Sequence, residues 1–425
     1  MRAAPARSAT QPAGLVREYH ERTKHSFESV RRSGRALDWA NFPRPFKEYV
    51  GLEGEPLPDG LARLLRLGGG VVRSRGDYHF RTYSSAGALY PNELYVSQRE
   101  GLFHFHPGEL ALRRLRPEGV LGEALVLTGI HWRTGWKYGE RGYRHLYWDA
   151  GTMLANLLAA GGGGRVRVGF VDDEVNRALG VDGAREAALA IVALGEVPAR
   201  VETVAIDHEA RPLSRREERF PLAEASHAAT KLVEPGWGSL HDGDLSLPAF
   251  FHEPLERILR RRRSIREFAP AAVSAEELGA LLDWAAAPVP ADAPPVGTIG
   301  VIAHAVDGLV SGIYRYDGDF RLLREGDHRR LAGYLMLEQA HGARCAAAIF
   351  LLADLDAVLG ALAGRGYRWA QLEAGIRAGR LQIGAFALGW GATASTFYDD
   401  DVSRAFESHE SPMLAVALGR PLRAR

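Results

Sequence analysis

A single cysteine, Cys345, stands among 425 residues, so this chain can build neither an internal disulfide nor a multi-thiolate metal or iron–sulfur site. It lies in the run CAAAIFLLA, where an inert core thiol is expected. A surplus of either charge is also missing. Lys plus Arg total 53 against 52 Asp plus Glu, so no global basic field recommends a nucleic acid. The greasiest stretch, 346–364, carries Asp354 and Asp356 and is too polar to span a bilayer. No apolar segment follows the Arg/Ala-rich start, so no secretory signal is read there. These absences predict a soluble, cytoplasmic protein with neither nucleic-acid nor membrane partners. GxGxxG, GxxxxGKS/T and GxSxG do not occur, which removes support for dinucleotide fingerprints, P-loops and the hydrolase elbow. His20-Glu21 to His25 is one residue too long for a two-histidine zinc helix. His104 and His106 align with Arg315 and Asp317 when Gly101 is set on Gly312, so they read as a polar strand face rather than a ligand pair.

What the chain does have is one pattern written twice. GYRHLYWDAG from Gly142 returns as GYRWAQLEAG from Gly366, 224 residues later. FVDDEVNRAL from Phe170 returns as FYDDDVSRAF from Phe397, and each copy closes on ValAlaLeuGly, at Gly195 and Gly419. Length and a hydrophobic share of 46% fit two cores, and a two-copy repeat is a fused pseudo-dimer rather than a solenoid. The layout is α+β. Leu61, Leu64 and Leu65 share a helical face, as do Leu278, Leu281 and Leu282. Strands are expected at 93–98 with 102–106, and at 299–305 with 313–316, with long small-residue helices over about 142–160 and 366–388. Residues 1–20 read as disordered, 21–200 as the first domain, 201–250 as a polar linker wrapping one half around the other, and 251–425 as the second domain.

Three stretches carry chemistry. RRRRSIREF, Arg260–Phe268, precedes a capping box at Ser274 and Glu277. It reads either as a solvated basic helix face or as a phosphate clamp, with Arg262 and Arg266 at i and i+4 and Ser264 between them. FRTYSSAGALYPNELYV, Phe80–Val96, is either an ordinary loop into a strand or a loop whose small residues bring backbone N–H groups against a flat ligand. Lys137 and Tyr138 supply a general acid or base if their surroundings shift them toward neutrality; otherwise they belong to a surface strip over aromatics.

RRSIREF with the following VSAEELGALL resembles the opening of nitroreductase-fold flavoproteins, and SSAGALYPNELYV with KYGERGYRH resembles their SagB-type branch, the azoline dehydrogenases. The resemblance covers roughly 20–200 and 250–420. It implies two fused nitroreductase-like domains, each a mixed central sheet flanked by helices, holding FMN where the two meet. By that resemblance Arg262, Arg263, Ser264 and Arg266 bind the flavin phosphate, ribityl and pyrimidine edge. Ser84, Ser85, Ala86 and Gly87 line the ring, Lys137 and Tyr138 are catalytic, and no metal is involved. Gly391, Ala392 and Thr393 are expected to add ring or ribityl contacts by their position after the long helix, and Arg420 to be a further phosphate ligand. The implied reaction removes the Cα proton of a thiazoline or oxazoline in a small-molecule or peptide substrate, with hydride passing to FMN N5 and oxygen or another acceptor reoxidising it. A cyclodehydratase or another biosynthetic protein is the implied partner, and the pseudo-dimer works alone or as a higher homo-oligomer. The family's usual Pro stands replaced by Ser84. An NAD(P)H-dependent nitroreductase or quinone reductase, and a non-catalytic flavin-fold scaffold, are the alternative readings.

The copies are not equivalent. Arg262, Arg263, Ser264 and Arg266 align with Pro45, Phe46, Lys47 and Tyr49, and the second half has APPVGTIG near the counterpart of SSAGALYP. Only one complete combination, clamp from one half and loop from the other, is therefore expected.

Overall fold

The computed structural model describes residues 10–32, 34–161, 163–237 and 241–422. Two antiparallel sheets share one spatial order. In the first, Ala111–Arg116, Gly101–His106, Asn92–Gln98, Ala124–Ile130, Glu186–Ala193 and Arg165–Arg167 lie side by side, with Gly54–Pro56 added at the outer edge. In the second, Phe320–Glu325, Gly312–Tyr316, Gly297–Ala303, Ala347–Ala353, Ser411–Gly419 and Gly391–Ser395 follow the same sequence of neighbours. Short connections between successive strands favour antiparallel pairing. Among the described residues, parallel pairing is found in the short pair Val273–Ser274 with Val306–Asp307 and in the bridges Val166 with Ala291 and Ser264 with Ala392.

Two long helices, Gly142–Ala159 and Arg365–Ala387, pack across each other between the sheets and are buried along nearly their whole length. A helix buried on every side needs small residues where another backbone crosses it. Gly151 and Gly375, 224 apart, supply that crossing. A Cβ on Gly151 would lie 2.4 Å from the Leu372 carbonyl oxygen, and one on Gly375 would lie 2.5 Å from that of Trp148.

The starts of the helices are tied reciprocally. Arg141 and Arg144 of the first half pair with Asp399 of the second at 2.9 and 2.7 Å. Arg365 and Arg368 of the second half pair with Asp172 of the first at 2.9 and 2.6 Å. All six side chains are buried. Burial alone would raise the Asp399 carboxyl, but Arg141 and Arg144 hold it below its ordinary range.

One expectation needs correction. Residues 10–20, expected to be disordered, lie in a helix, Thr10–Arg22. Composition misled there: Val16 and Tyr19 are fully buried, and the Tyr19 ring packs edge-on against Tyr143 and Tyr367, one from each half. Residues 1–9 lie outside the described residues. The segment 201–250 contains a helix, Pro221–Ala229, and is anchored to both halves. Its backbone bonds residues 44–50 (Arg211 N to Glu48 O, 2.9 Å) and residue 291 (His241 N to Ala291 O, 2.7 Å).

Candidate active site between the halves

The small-residue loop ahead of strand Asn92–Gln98 is bent into a conformation that L-residues resist. Gly87, Ala88 and Tyr90 have φ of 65°, 55° and 45°, and such backbone persists only where its surroundings hold it. The first long helix does the holding. Asp149 accepts hydrogen bonds from Ser85 Oγ at 2.5 Å and Ala86 N at 3.0 Å. Ser85 Oγ accepts from Tyr90 N at 2.8 Å, and the Thr152 hydroxyl donates to the Ser84 carbonyl at 2.5 Å. Burial raises the Asp149 carboxyl to about 7, although the Ser85 and Ala86 bonds pull the other way.

Against this loop stands the end of helix His131–Tyr138. A Cβ on Gly87 would come within 3.0 Å of Tyr138 Oη and 3.2 Å of Lys137 Nζ, so glycine leaves both groups room. Lys137 makes no hydrogen bond or ion pair among the described residues, and burial together with Arg266 lowers its pKa. Burial and Asp149 raise that of Tyr138, which stays a neutral phenol. The Tyr138 ring stacks on His145 with centroids 4.1 Å apart. His145 is buried, and neither ring nitrogen has a hydrogen-bond partner among the described residues. Burial first, then Arg141, keeps it neutral.

The other wall comes from the second half. Helix Leu255–Arg261 ends before the clamp, so the i,i+4 helical face expected for Arg262 and Arg266 does not exist. The chain instead runs extended along the edge strand Gly391–Ser395, with Ser264 bridged to Ala392 and Ile265 N bonded to Ala392 O at 2.9 Å. The arginines divide between buried and exposed positions. Arg262 is buried and spends its guanidinium on the Thr82 carbonyl at 3.0 and 3.1 Å and on Gln382 at 3.2 Å. Arg263, Ser264 and Arg266 are exposed, and their side chains are unbonded among the described residues.

A cavity of about 340 Å³ results, lined by Ser84–Gly87, Lys137 and Tyr138 from the first half and by Ser264, Arg266 and Thr393 from the second. It opens beside a groove of about 1140 Å³ that includes Arg263. Gly391, Ala392 and Arg420 do not line either space. Gly391 lets Ile265 seat, since a Cβ there would lie 2.7 Å from that side chain. Ala392 holds the clamp by its backbone, and the Arg420 guanidinium lies 5.9 Å from the Trp390 ring centre. Reading the sequence missed Asp149, His145, Thr152, Gln339 and His341, which also line the cavity. His341 Nε2 is buried without a partner, and burial, then Arg266, lowers its pKa to about 4. A signal did exist for His145: the repeat replaces it with Trp369, while Asp149 stays acidic as Glu373.

At the equivalent position of the other copy the space is filled. Glu373 accepts from Val296 N and Gly297 N at 3.0 and 2.8 Å, as Asp149 accepts from its loop. The buried Trp369 indole donates to Pro294 O at 2.7 Å where His145 is unbonded. Asp292 accepts from Val168 N and Gly169 N at 2.8 and 3.0 Å, joining that loop to the first sheet. Lys47, aligned with Ser264, turns inward onto Glu186 at 2.6 Å.

Asp149 makes stability pH-dependent. A carboxyl raised to about 7 in the fold from near 4 unfolded stabilises fully below pH 4 and progressively less as pH rises through 7. The shift corresponds to something on the order of 4 kcal/mol. Urea unfolding at pH 5 and pH 8 should therefore show Asp149→Asn losing much less stability over that interval than the parent chain. Equal losses in the two proteins would mean that Asp149 does not titrate there.

A nitroreductase-family model matches residues 259–420. A nitroreductase homologue of Methanocaldococcus jannaschii is 32% identical over 145 residues, 28% of this chain and 72% of that protein. Among solved structures, a nitroreductase homologue of Anabaena variabilis superposes with a TM-score of 0.81 at 24% identity, covering 96% of this chain and 99% of that one. One from Ralstonia eutropha covers 40% of this chain and 85% of its own, at 24% identity and a TM-score of 0.34. The fold is thus two fused nitroreductase-like domains, and the chain belongs to the nitroreductase family of oxidoreductases.

Proposed function

We propose that this chain is an FMN-dependent, SagB-like dehydrogenase or oxidase that holds one flavin between its halves and oxidises a peptide-derived or natural-product heterocycle. The observation that carries this reading is the convergence in one cavity of the Ser84–Gly87 loop and Lys137-Tyr138 from one half with Ser264 and Arg266 from the other. The repeated sequence, the shared strand order and the reciprocal arginine–aspartate ties support a tandem duplication, with 21–200 and 251–425 as its copies and 201–250 as the linker.

The residues present fit FMN. A flat ring needs backbone without a side chain over it, and Gly87 is such a place. An anionic tail needs cations not already spent, which describes Arg263 and Arg266. Ring edges need hydrogen-bonding partners, and His145 and His341 offer buried nitrogens without any. Ser84, Ser85, Ala86 and Gly87 would then face the ring, with Arg263, Ser264, Arg266 and Thr393 taking the polar groups. Arg262, Gly391 and Ala392 act on the flavin only by shaping the clamp. When bound, FMN supplies a two-electron acceptor at N5. Oxidation of an azoline releases a Cα proton alongside the hydride, and Lys137 Nζ, biased toward its neutral form by burial and Arg266, accepts that proton. Tyr138 keeps its proton and donates a hydrogen bond to the substrate.

Arg266→Ala tests the assignment. A lost charge-assisted bond to phosphate is worth about 1.5–3 kcal/mol, so flavin retention should weaken roughly 10- to 100-fold. Flavin absorbance after gel filtration reads this directly, and a variant retaining as much flavin as the parent would overturn it.

A further inference from the structure

We infer that the groove beside the cavity binds an acidic peptide segment, the part of the substrate lying outside the reacting ring. One wall is the hairpin Val71–Arg75 with Tyr78–Arg81, a two-stranded sheet separate from the main ones. Its register sets Arg73 opposite Phe80 and Arg75 opposite Tyr78, so one face presents two arginines beside two aromatic rings. All four line the groove. The Arg73 guanidinium sits 4.4 Å above the Phe80 ring and has no carboxylate partner among the described residues. Arg260 and Arg263 of the second half line the groove as well.

Charge decides the ligand. Of the groove's cations, Arg81 and Arg262 are spent on carbonyl oxygens and Arg261 on Glu253. Arg73, Arg75, Arg260, Arg263 and Arg266 remain without a hydrogen bond or ion pair among the described residues, against two acids, Asp77 and Glu267. A flavin phosphate carries at most about two negative charges, which leaves the groove with a net surplus of positive charge. The free arginines come from two separate segments, the hairpin at 71–81 and residues 260–266, that line a groove of about 1140 Å³. Charge shared between two segments suits separate carboxylates along an extended chain better than one compact phosphate. The volume also exceeds the ~300–1,000 Å³ typical of small-molecule sites. Tyr78 and Phe80 supply apolar surface between the charges.

The inference leans on the proposed function only in calling the peptide a substrate. Its test uses the full chain as purified and fluorescein-labelled ten-residue peptides of alternating Glu and Gly, or Gln and Gly, read by anisotropy. The Glu peptide should bind and the Gln peptide should not. R73E/R75E should weaken binding at least tenfold, while R321E/R324E, on an exposed strand of the second sheet, should not. Equal binding of the two peptides, no binding, or equal loss in both variants would overturn the inference. So would full displacement by stoichiometric NADPH, which would mark a nucleotide site. Flavin content measured in the same samples separates the two proposals. Peptide binding by flavin-free protein would leave the groove standing and the flavin reading failed; a flavin-loaded protein blind to the peptide would do the reverse.

Discussion

Lys137→Ala should purify with its flavin and lose turnover by about 10²–10⁴-fold, the usual contribution of a positioned general base. The expectation rests on position: Lys137 Nζ borders the cavity, is unbonded among the described residues, and is pushed toward neutrality by burial and by Arg266. Because Lys137 makes no ion pair among the described residues, its removal should leave folding intact. Tyr138→Phe should cost less, since the ring still stacks on His145 and only the hydroxyl is lost. Single-turnover reduction of the bound flavin by substrate is the measurement. Parental rates in Lys137→Ala would remove Lys137 from the chemistry.

Asp399→Ala should destabilise the fold by about 3–5 kcal/mol, the range found when one partner of a buried ion pair is deleted and its counter-charge is stranded. Here two guanidiniums are stranded. Arg141 and Arg144 would keep only neutral acceptors, such as the Thr23 carbonyl at 2.5 Å and the His20 carbonyl at 2.6 Å. Asp399 also accepts from His25 N at 2.8 Å, so the N-terminal helix should loosen too. The pseudo-equivalent Asp172→Ala should behave alike, because Arg365 and Arg368 lean on it in the same way. Urea unfolding reads both, and losses under 1 kcal/mol would show that these ties do not hold the halves together.

Much of the architecture was legible because it is written in burial. The two long helices are rich in small residues and the closing strands are apolar, and the repeat fixes their correspondence. What failed was local geometry decided by distant partners. Arg262 and Arg266 are spaced like a helical pair, yet the chain leaves the helix at Arg261 to run beside Ala392, and that edge strand is 128 residues away in sequence. The N-terminal segment looked disordered because nothing nearby announces that Tyr19 will be buried between Tyr143 and Tyr367.

The site was half visible. Ser84–Gly87, Lys137, Tyr138, Ser264, Arg266 and Thr393 do border one cavity. His145 and Asp149, which fall at i and i+4 inside the repeated motif, read there as markers of duplication. Their part becomes plain only when the first long helix is seen to hold the loop. Gly391 and Arg420 were placed at the site by nearness in sequence, but Gly391 seats Ile265 and Arg420 lies by Trp390.

One flavin site per chain is the claim on which the rest depends. It follows from complementary loss: the first copy lacks the clamp, with Lys47 turned onto Glu186, and the second has Trp369 where His145 would leave room. The most direct test is the amount of FMN released on denaturation of purified protein, divided by the amount of chain after reconstitution with excess FMN. The account predicts one FMN per 425-residue chain; a value of two, or of none, would contradict it.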